Sequence, residues 1–265
     1  MYKKRTRPYI SIITPNYNGG RYIEKTIKSV INQSCKNFEY LVFDACSNDN
    51  SLKIIRKYKK KINHISIKKD KGTYHAIDMA IKKSKGEVII WINSDDILDK
   101  NAVLNVIKVF KFDSRLEWIT GINGYIKKNI IFSGIPYYYP NYIIKNSLAH
   151  HNFWGFIQQE SVVFKKKLFI KSKGFKKNYN IAGDFHLWKN FSEYSELKSY
   201  FIKIGYFRSW YGQSSKLQMS EYFKDTGKKK VFWSLRVFRF LISLIFLPYI
   251  YLKTQYILSK YTNIK

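Results

Sequence analysis

Asp95 and Asp96 close the stretch EVIIWINSDDIL, directly after an apolar run from Val88 to Ile92. Adjacent carboxylates at the end of a buried strand repel each other and are costly to desolvate, so something must compensate them. Two arrangements do so. One is a hard divalent cation that keeps waters and shares phosphate oxygens as ligands. The other is the N-terminus of the next helix, capped by Ser94 or Asp95. These residues alone leave both open.

The elements that position this pair are legible as an alternation. Short apolar runs suited to buried strands occur at Tyr9 to Thr14, Tyr40 to Phe43, His64 to Ile67 and Val88 to Ile92. Between them apolar residues recur at helical spacing, as in Ile23, Ile27, Val30 and Ile31, then Leu52, Ile55 and Tyr58, then Ala76, Ile77, Ala80 and Ile81. Val103, Val106, Ile107 and Phe110 repeat the pattern after the carboxylates. Strand and helix in alternation imply a parallel α/β sheet with right-handed crossovers. The strands end in Thr14-Pro15-Asn16-Tyr17-Asn18, in Asp44, in Asp70-Lys71-Gly72 and in Asn93-Ser94-Asp95-Asp96. Ligands of open α/β sheets bind outside such ends, so four polar ends on one edge describe a site. After residue 115 the pattern loosens. Strands with a turn near Asn123-Gly124 or Lys128-Asn129 are expected, then helices over ESVVFKKKLFIKS and GDFHLWKNFSEY.

The chain of 265 residues carries 48 Lys and Arg against 18 Asp and Glu, a formal charge of +30. That excess fits a polyanionic partner or a coding bias towards Lys, Ile, Asn, Tyr and Phe, because it is spread rather than gathered in one arm. Cys35 and Cys46 have no metal-ligand or redox spacing, which fits a reduced compartment. The basic N-terminus reaches only a short apolar stretch before Pro15 and does not read as a signal peptide, so cytoplasmic residence is expected. Residues 226–265 differ from the unit formed by residues 1–225: three lysines lead into a mostly apolar and aromatic stretch. Its longest uninterrupted run, Phe240 to Leu252, has 13 residues and contains Pro248, short of the roughly 20 that span a bilayer. Extending it backwards brings in Arg236 and Arg239. A helix lying in the interface, with Trp233, Phe238 and Tyr249 at the boundary, fits better than a span; packing on the domain or dimerisation is the other reading. A membrane surface is therefore preferred over nucleic acid as the partner.

Three blocks, SIITPNYNGGRYIEKTIKSVINQS, YLVFDACSNDNS and DKGTYHAIDMAIKKSKGEVIIWINSDDIL, resemble in order and spacing the catalytic domain of glycosyltransferase family 2. The resemblance covers about residues 9 to 215. It implies a GT-A fold, a nucleotide-binding open twisted sheet flanked by helices, with an acceptor-side extension. Pro15, Asn16 and Tyr17 match the family's loop for base and ribose, and Asp44 the strand-end Asp that accepts from the base; Asp44 also suits a helix cap. Asn93-Ser94-Asp95, followed by Asp96, stands where the family has its Asp-x-Asp metal element, with Asn93 replacing the first Asp. Metal duty falls to Asp95 or Asp96. Tyr74, His75 and Asp78 lie in a block similar to a subgroup written Asp-Lys-Gly-x-Tyr-Asp-Ala-Met-Asn, with His75 for Asp and Asp78 for Asn, which implies the donor-sugar or acceptor side; His75 equally suits a helix surface with no role. FIQQESVVFKKKLFIKSKGF, IAGDFHLWKNF and FRSWYGQSS resemble acceptor-side blocks of a bacterial subgroup. There the likeness implies Asp184 as general base, although Asp184 also suits the cap of a helix. Gln158, Gln159 and Glu160 suit either sugar hydroxyls or the satisfaction of buried backbone, and Arg208 and Gln213 suit the diphosphate side. Trp154, Trp188 and Trp210 offer sugar-stacking faces or core.

The expectation is an inverting glycosyltransferase that moves one sugar from a nucleotide-diphospho-sugar to a hydroxyl of a growing lipid-linked surface glycan, such as lipopolysaccharide. Mg²⁺ or Mn²⁺ assists, and the enzyme sits at the inner face of the membrane. The alternatives are another metal-dependent, nucleotide-using α/β transferase, for which Asn18-Gly19-Gly20 is a poor phosphate loop, and a non-catalytic basic protein.

Overall fold

The computed structural model describes residues 8–150, 154–175, 181–210, 213, 218–226 and 233–261, with side chains in the last helix from residue 237. Strands β1 (Ile10–Asn16), β2 (Phe38–Asp44), β3 (His64–Ile67) and β4 (Val88–Trp91) pair in parallel in the order β3-β2-β1-β4. Helices α1 (Ile23–Ile31), α2 (Ser51–Lys57) and α3 (Thr73–Lys83) make the crossovers. In α1 the buried Ile23, Thr26, Ile27 and Val30 form one stripe facing the sheet. The sheet is covered on both sides. Ile10, Ile12 and Ile90 point into one core, and Ile13, Ile89 and Trp91 into the other. Helix α4 (Ala102–Phe112) packs into the first of these.

Beyond β4 the sheet continues in mixed fashion. Strand β9 (Val162–Lys165) lies antiparallel between β4 and β6 (Trp118–Thr120), and β10 (Lys198–Ser199) closes that edge. ESVVFKKKLFIKS is thus a strand followed by helix α6 (Lys166–Lys171) rather than one helix, because an insertion between two distant strands leaves no local mark in a three-residue apolar run. Helix α7 (Gly183–Ser192) forms as expected.

A second sheet runs β5 (Ile97–Leu98), β11 (Gly205–Arg208), β7 (Gly124–Lys127) and β8 (Ile130–Ser133). Of the two turns expected, the hairpin uses Lys128-Asn129, both in left-handed backbone with φ of 50° and 66°. Short helices α5 (Asn141–Lys145) and α8 (Met219–Asp225) complete the C-terminal half.

Helix α9 (Trp233–Lys260) is docked along one stripe, the fully or nearly buried Ser243, Ile250, Thr254 and Ile257. Lys108 on α4 donates to the Leu258 carbonyl at 3.0 Å, and Phe201 N–H donates to Thr254 Oγ1 at 3.0 Å. The opposite face, with Phe238, Leu241, Ile245, Tyr249, Leu252 and Tyr256, is exposed. Of the side chains expected at a boundary, that of Trp233 lies outside the described residues.

Candidate active site

The β1–β2 register sets Asn16 directly beside Asp44 at the carboxyl edge. Asn16 Nδ2 donates to Asp44 Oδ2 at 2.6 Å, and Ser47 donates to the same carboxylate from its backbone N–H at 2.7 Å and its hydroxyl at 2.8 Å. Asp44 is buried and braces the turn after β2. Pro15 is buried in the strand, whereas Tyr17 beyond it stands 66% exposed over the edge. A Cβ on Gly19 would lie 2.2 Å from Asn16 Oδ1 and 2.7 Å from Ser94 Oγ, so only glycine lets the β1 and β4 loops touch here. Gly19-Gly20 thus serves loop packing, with Gly20 N–H on Asp49.

Asp95 and Asp96 part company at this edge. Antiparallel pairing of β11 with β5 carries Arg208 alongside them. Arg208 N–H donates to Asp96 Oδ1 at 2.8 Å, and its Nε donates to the Asp95 carbonyl at 2.8 Å. Asp96 is fully buried. Burial, then the charges of Glu160 and Asp95, holds its carboxyl well above the usual carboxylate range. Asp95 keeps some exposure, and its Oδ2 accepts from Trp210 Nε1 at 2.9 Å and Gln213 Nε2 at 3.2 Å. Burial raises the Asp95 carboxyl as well. The Arg208 guanidinium lies 4.8 Å from the centre of the Tyr22 ring, and that ring is 5.4 Å from Trp210.

Beside this edge opens a cavity of about 760 Å³, within the size range of small-ligand sites. Asp184, in the first turn of α7, lines it. The Tyr74 hydroxyl, 2.9 Å from the Ile181 carbonyl, also reaches Asp184 Oδ1 at 3.3 Å. A Cβ on Gly183 would sit 2.6 Å from the Tyr74 ring, so the first turns of α3 and α7 meet at van der Waals distance. Burial pushes the Asp184 carboxyl up to about 6. Glu160 lines the same cavity and is also raised, by burial first and then by the charges of Asp95 and Asp184. A closed ring of hydrogen bonds links cavity and edge. Trp91 Nε1 donates to Asn93 Oδ1 (2.8 Å), Asn93 Nδ2 to Gln159 Oε1 (3.0 Å), and Gln159 Nε2 to the Trp91 carbonyl (2.6 Å).

Residues 11–169, more than half of the chain, match the family described as Glycosyl transferase family 2. The chain belongs to that family. Chondroitin synthase of Escherichia coli is 26% identical to this family 2 chain over 236 residues, covering 86% of it and 33% of the synthase. The chain spans about a third of the length of the first curated relatives it matches. Among solved structures, Staphylococcus aureus TarS 1-349 in complex with UDP-GlcNAc superposes with a TM-score of 0.63 at 19% identity, over 78% of this chain and 60% of that one. The mannosyltransferase PcManGT from Pyrobaculum calidifontis in complex with GDP-Man and Mn²⁺ gives 0.61 at 16% identity, over 97% and 75%. The GT-A fold expected from the resemblance is therefore the fold of this family 2 domain.

Most of the residues singled out from the sequence meet at this edge or cavity. Asn16, Tyr17, Asp44, Ser94, Asp95, Arg208 and Gln213 gather at the strand ends, while Tyr74, Asn93, Gln158, Gln159, Glu160 and Asp184 line the cavity. His75 and Asp78 do not line it. His75 Nδ1 accepts from Lys71 N–H at 3.2 Å, and Asp78 pairs with Lys82 at 2.6 Å along α3. Gln158 spends its amide on the Gly124 carbonyl at 2.6 Å. Trp154 and Trp188 are core residues, whereas Trp210 supports Asp95. Sequence reasoning passed over Tyr22 and did not bring Arg239 to the cavity. The one local signal for Arg239 was a cation flanked by Phe238 and Phe240.

A divalent ion fits this family 2 domain in one restricted way. Among the described residues no three His, Cys, Asp or Glu side chains are grouped to hold one. Of the adjacent pair only Asp95 keeps a partly exposed carboxylate, which suits an ion that takes its other ligands from water and substrate phosphate. Asp96, buried under Arg208, does not suit that role.

Proposed function

We propose that this domain transfers a sugar from a nucleotide-diphospho-sugar to a hydroxyl of a surface glycan by single displacement, with inversion and with Asp184 as the base. The observation that carries this reading is Asp184 itself, set in the wall of a cavity that opens beside the strand-end carboxylates, with burial raising it to about 6. A base near that value is ionised at neutral pH and still takes a proton readily.

Pro15, Asn16, Tyr17 and Asp44 flank the nucleoside, and Asn93 and Ser94 hold the loop beneath it. Arg208 and Gln213 brace Asp95 at the diphosphate. When bound, Mg²⁺ or Mn²⁺ at Asp95 supplies positive charge to the diphosphate. Asp184 accepts the proton of the acceptor hydroxyl. The acceptor oxygen forms its bond to the anomeric carbon as the bond to the diphosphate oxygen breaks, and the nucleoside diphosphate departs. Tyr74 orients the carboxylate through its hydroxyl, and Gln159 and Glu160 face the sugars. UDP-GlcNAc, the ligand named for the TarS complex, is the first donor to try. We further place the enzyme on the cytoplasmic membrane face, held by α9 and serving a lipid-linked acceptor; the exposed apolar face of α9 supports this.

The test is release of nucleoside diphosphate from a panel of nucleotide sugars, UDP-GlcNAc included, with and without Mg²⁺ or Mn²⁺. At least one donor is turned over, and Asp184→Asn and Asp95→Ala each lower turnover by about 10²-fold or more. Full turnover in both variants overturns the mechanism.

A further inference from the structure

The cavity wall carries two carboxyls, Glu160 and Asp184, and, among the described residues, one cation, Arg239 of α9. Arg239 is held without a counter-charge. Its Nη1 donates to the Trp154 carbonyl, its guanidinium carbon lies 4.2 Å from the centre of the Tyr137 ring, and its buried Nε has no partner among the described residues. Every Asp and Glu of the chain lies within the described residues, yet none forms an ion pair with Arg239. The backbone is shaped around it: Gly155 has φ of +91°, and a Cβ there would lie 1.7 Å from Nη1.

A residue needed only to pin α9 would not have to be charged. A carbonyl contact and a ring face use one of five guanidinium N–H groups, while an unpaired charge in a partly buried wall is unfavourable. An anion entering the cavity removes that cost, and the planar fork suits phosphate and carboxylate. We infer that Arg239 binds an acidic group of the acceptor, a phosphate or a carboxylate carried next to the sugar that receives the transfer. This rests on the reading of the cavity as the acceptor site. It adds that the acceptor is an acidic glycan and that the helix bearing the exposed apolar face also reads it.

The experiment titrates the full chain, followed by tryptophan fluorescence, with methyl β-glucoside, methyl β-glucuronide, glucose 1-phosphate and inorganic phosphate. Wild type binds at least one of the two acidic sugars about tenfold more tightly than the neutral one. Arg239→Gln brings that ratio close to one, and Arg239→Lys retains part of it, an outcome that pinning of α9 alone would not give. Thermal unfolding verifies that both variants are folded. The two acidic sugars tell phosphate from carboxylate, and inorganic phosphate tells a sugar-borne group from a free ion. Equal binding of neutral and acidic sugars by wild type, an unchanged ratio in Arg239→Gln, or binding of free phosphate alone overturns the inference. Donor turnover is measured separately. Its absence removes the proposed function and leaves the binding ratio to be judged by itself; its presence with an unaltered ratio removes only the role of Arg239.

Discussion

Asp184 is the residue at which burial and function pull against each other. Burial lifts its carboxyl from 3.8 to about 6, so folding favours the neutral form while the proposed role as base needs the charged one. The sign follows directly. The folded state binds the proton more tightly than the unfolded chain, so this group's contribution to stability is full below about 4 and is lost as pH rises through 6. Two outcomes are expected. The pH profile of kcat/KM climbs through an apparent value near 6 and then levels. Asp184→Asn removes that limb and melts at a higher temperature than wild type at pH 8, by an increment worth at most about 3 kcal/mol that vanishes near pH 4. A profile flat between pH 5 and 7 in wild type would take the base away from Asp184. The neighbouring pair makes the opposite point about legibility. Asp95 and Asp96 are identical and adjacent, and what separates them is Arg208, more than a hundred residues downstream. No local pattern distinguishes them. Asn93, a departure from the family element, is likewise explained only by its bonds to Trp91 and Gln159.

Among elements, the meeting of α3 with α7 governs the site, because the Tyr74 ring lies against Gly183 and its hydroxyl reaches across to Asp184. Gly183→Ala puts a methyl 2.6 Å from that ring. Overpacking of this kind costs about 1–3 kcal/mol, and here the displaced ring carries the hydroxyl partner of Asp184 with it. The expected result is a fall in kcat of about tenfold or more with a modest drop in melting temperature, largely relieved in Gly183→Ala/Tyr74→Leu for stability but not for kcat. Wild-type kcat in Gly183→Ala would show that the contact does not position the base. The alternation of β1 to β4 with α1 to α3 was readable because each strand and helix carries its own period. So was the site edge, since parallel strands must end together. The strand β9 was not, because Val162 to Lys165 owes its conformation to β4 and β6 on either side. The docking of β11 beside β5 was equally silent, and with it the support for Asp95.

For the whole molecule, the arrangement of α9 and the charge of +30 bear on one question, what the exposed helix face meets. Phe238, Leu241, Ile245, Tyr249, Leu252 and Tyr256 lie opposite the stripe that docks on the domain. An apolar face of this size on a strongly basic protein matches an anionic bilayer surface, where apolar burial and attraction to headgroups act together. Deleting the helix would be a blunt test, since Ile257 and Arg239 would leave with it. Ile245→Glu/Leu252→Glu alters only the exposed face, at positions 73% and 66% exposed, and should leave the melting temperature within about a degree. Sedimentation with vesicles of phosphatidylcholine containing anionic phosphatidylglycerol should recover wild type and lose the double variant by about tenfold or more, burial of two large apolar side chains being worth about 3 kcal/mol or more. Added salt should weaken wild-type recovery, because the attraction between the basic surface and the headgroups is screened. Equal recovery of wild type and variant would exclude the membrane contact. A wild-type dimer that the double variant dissolves, with no vesicle binding by either, would assign the face to a second copy of the chain instead.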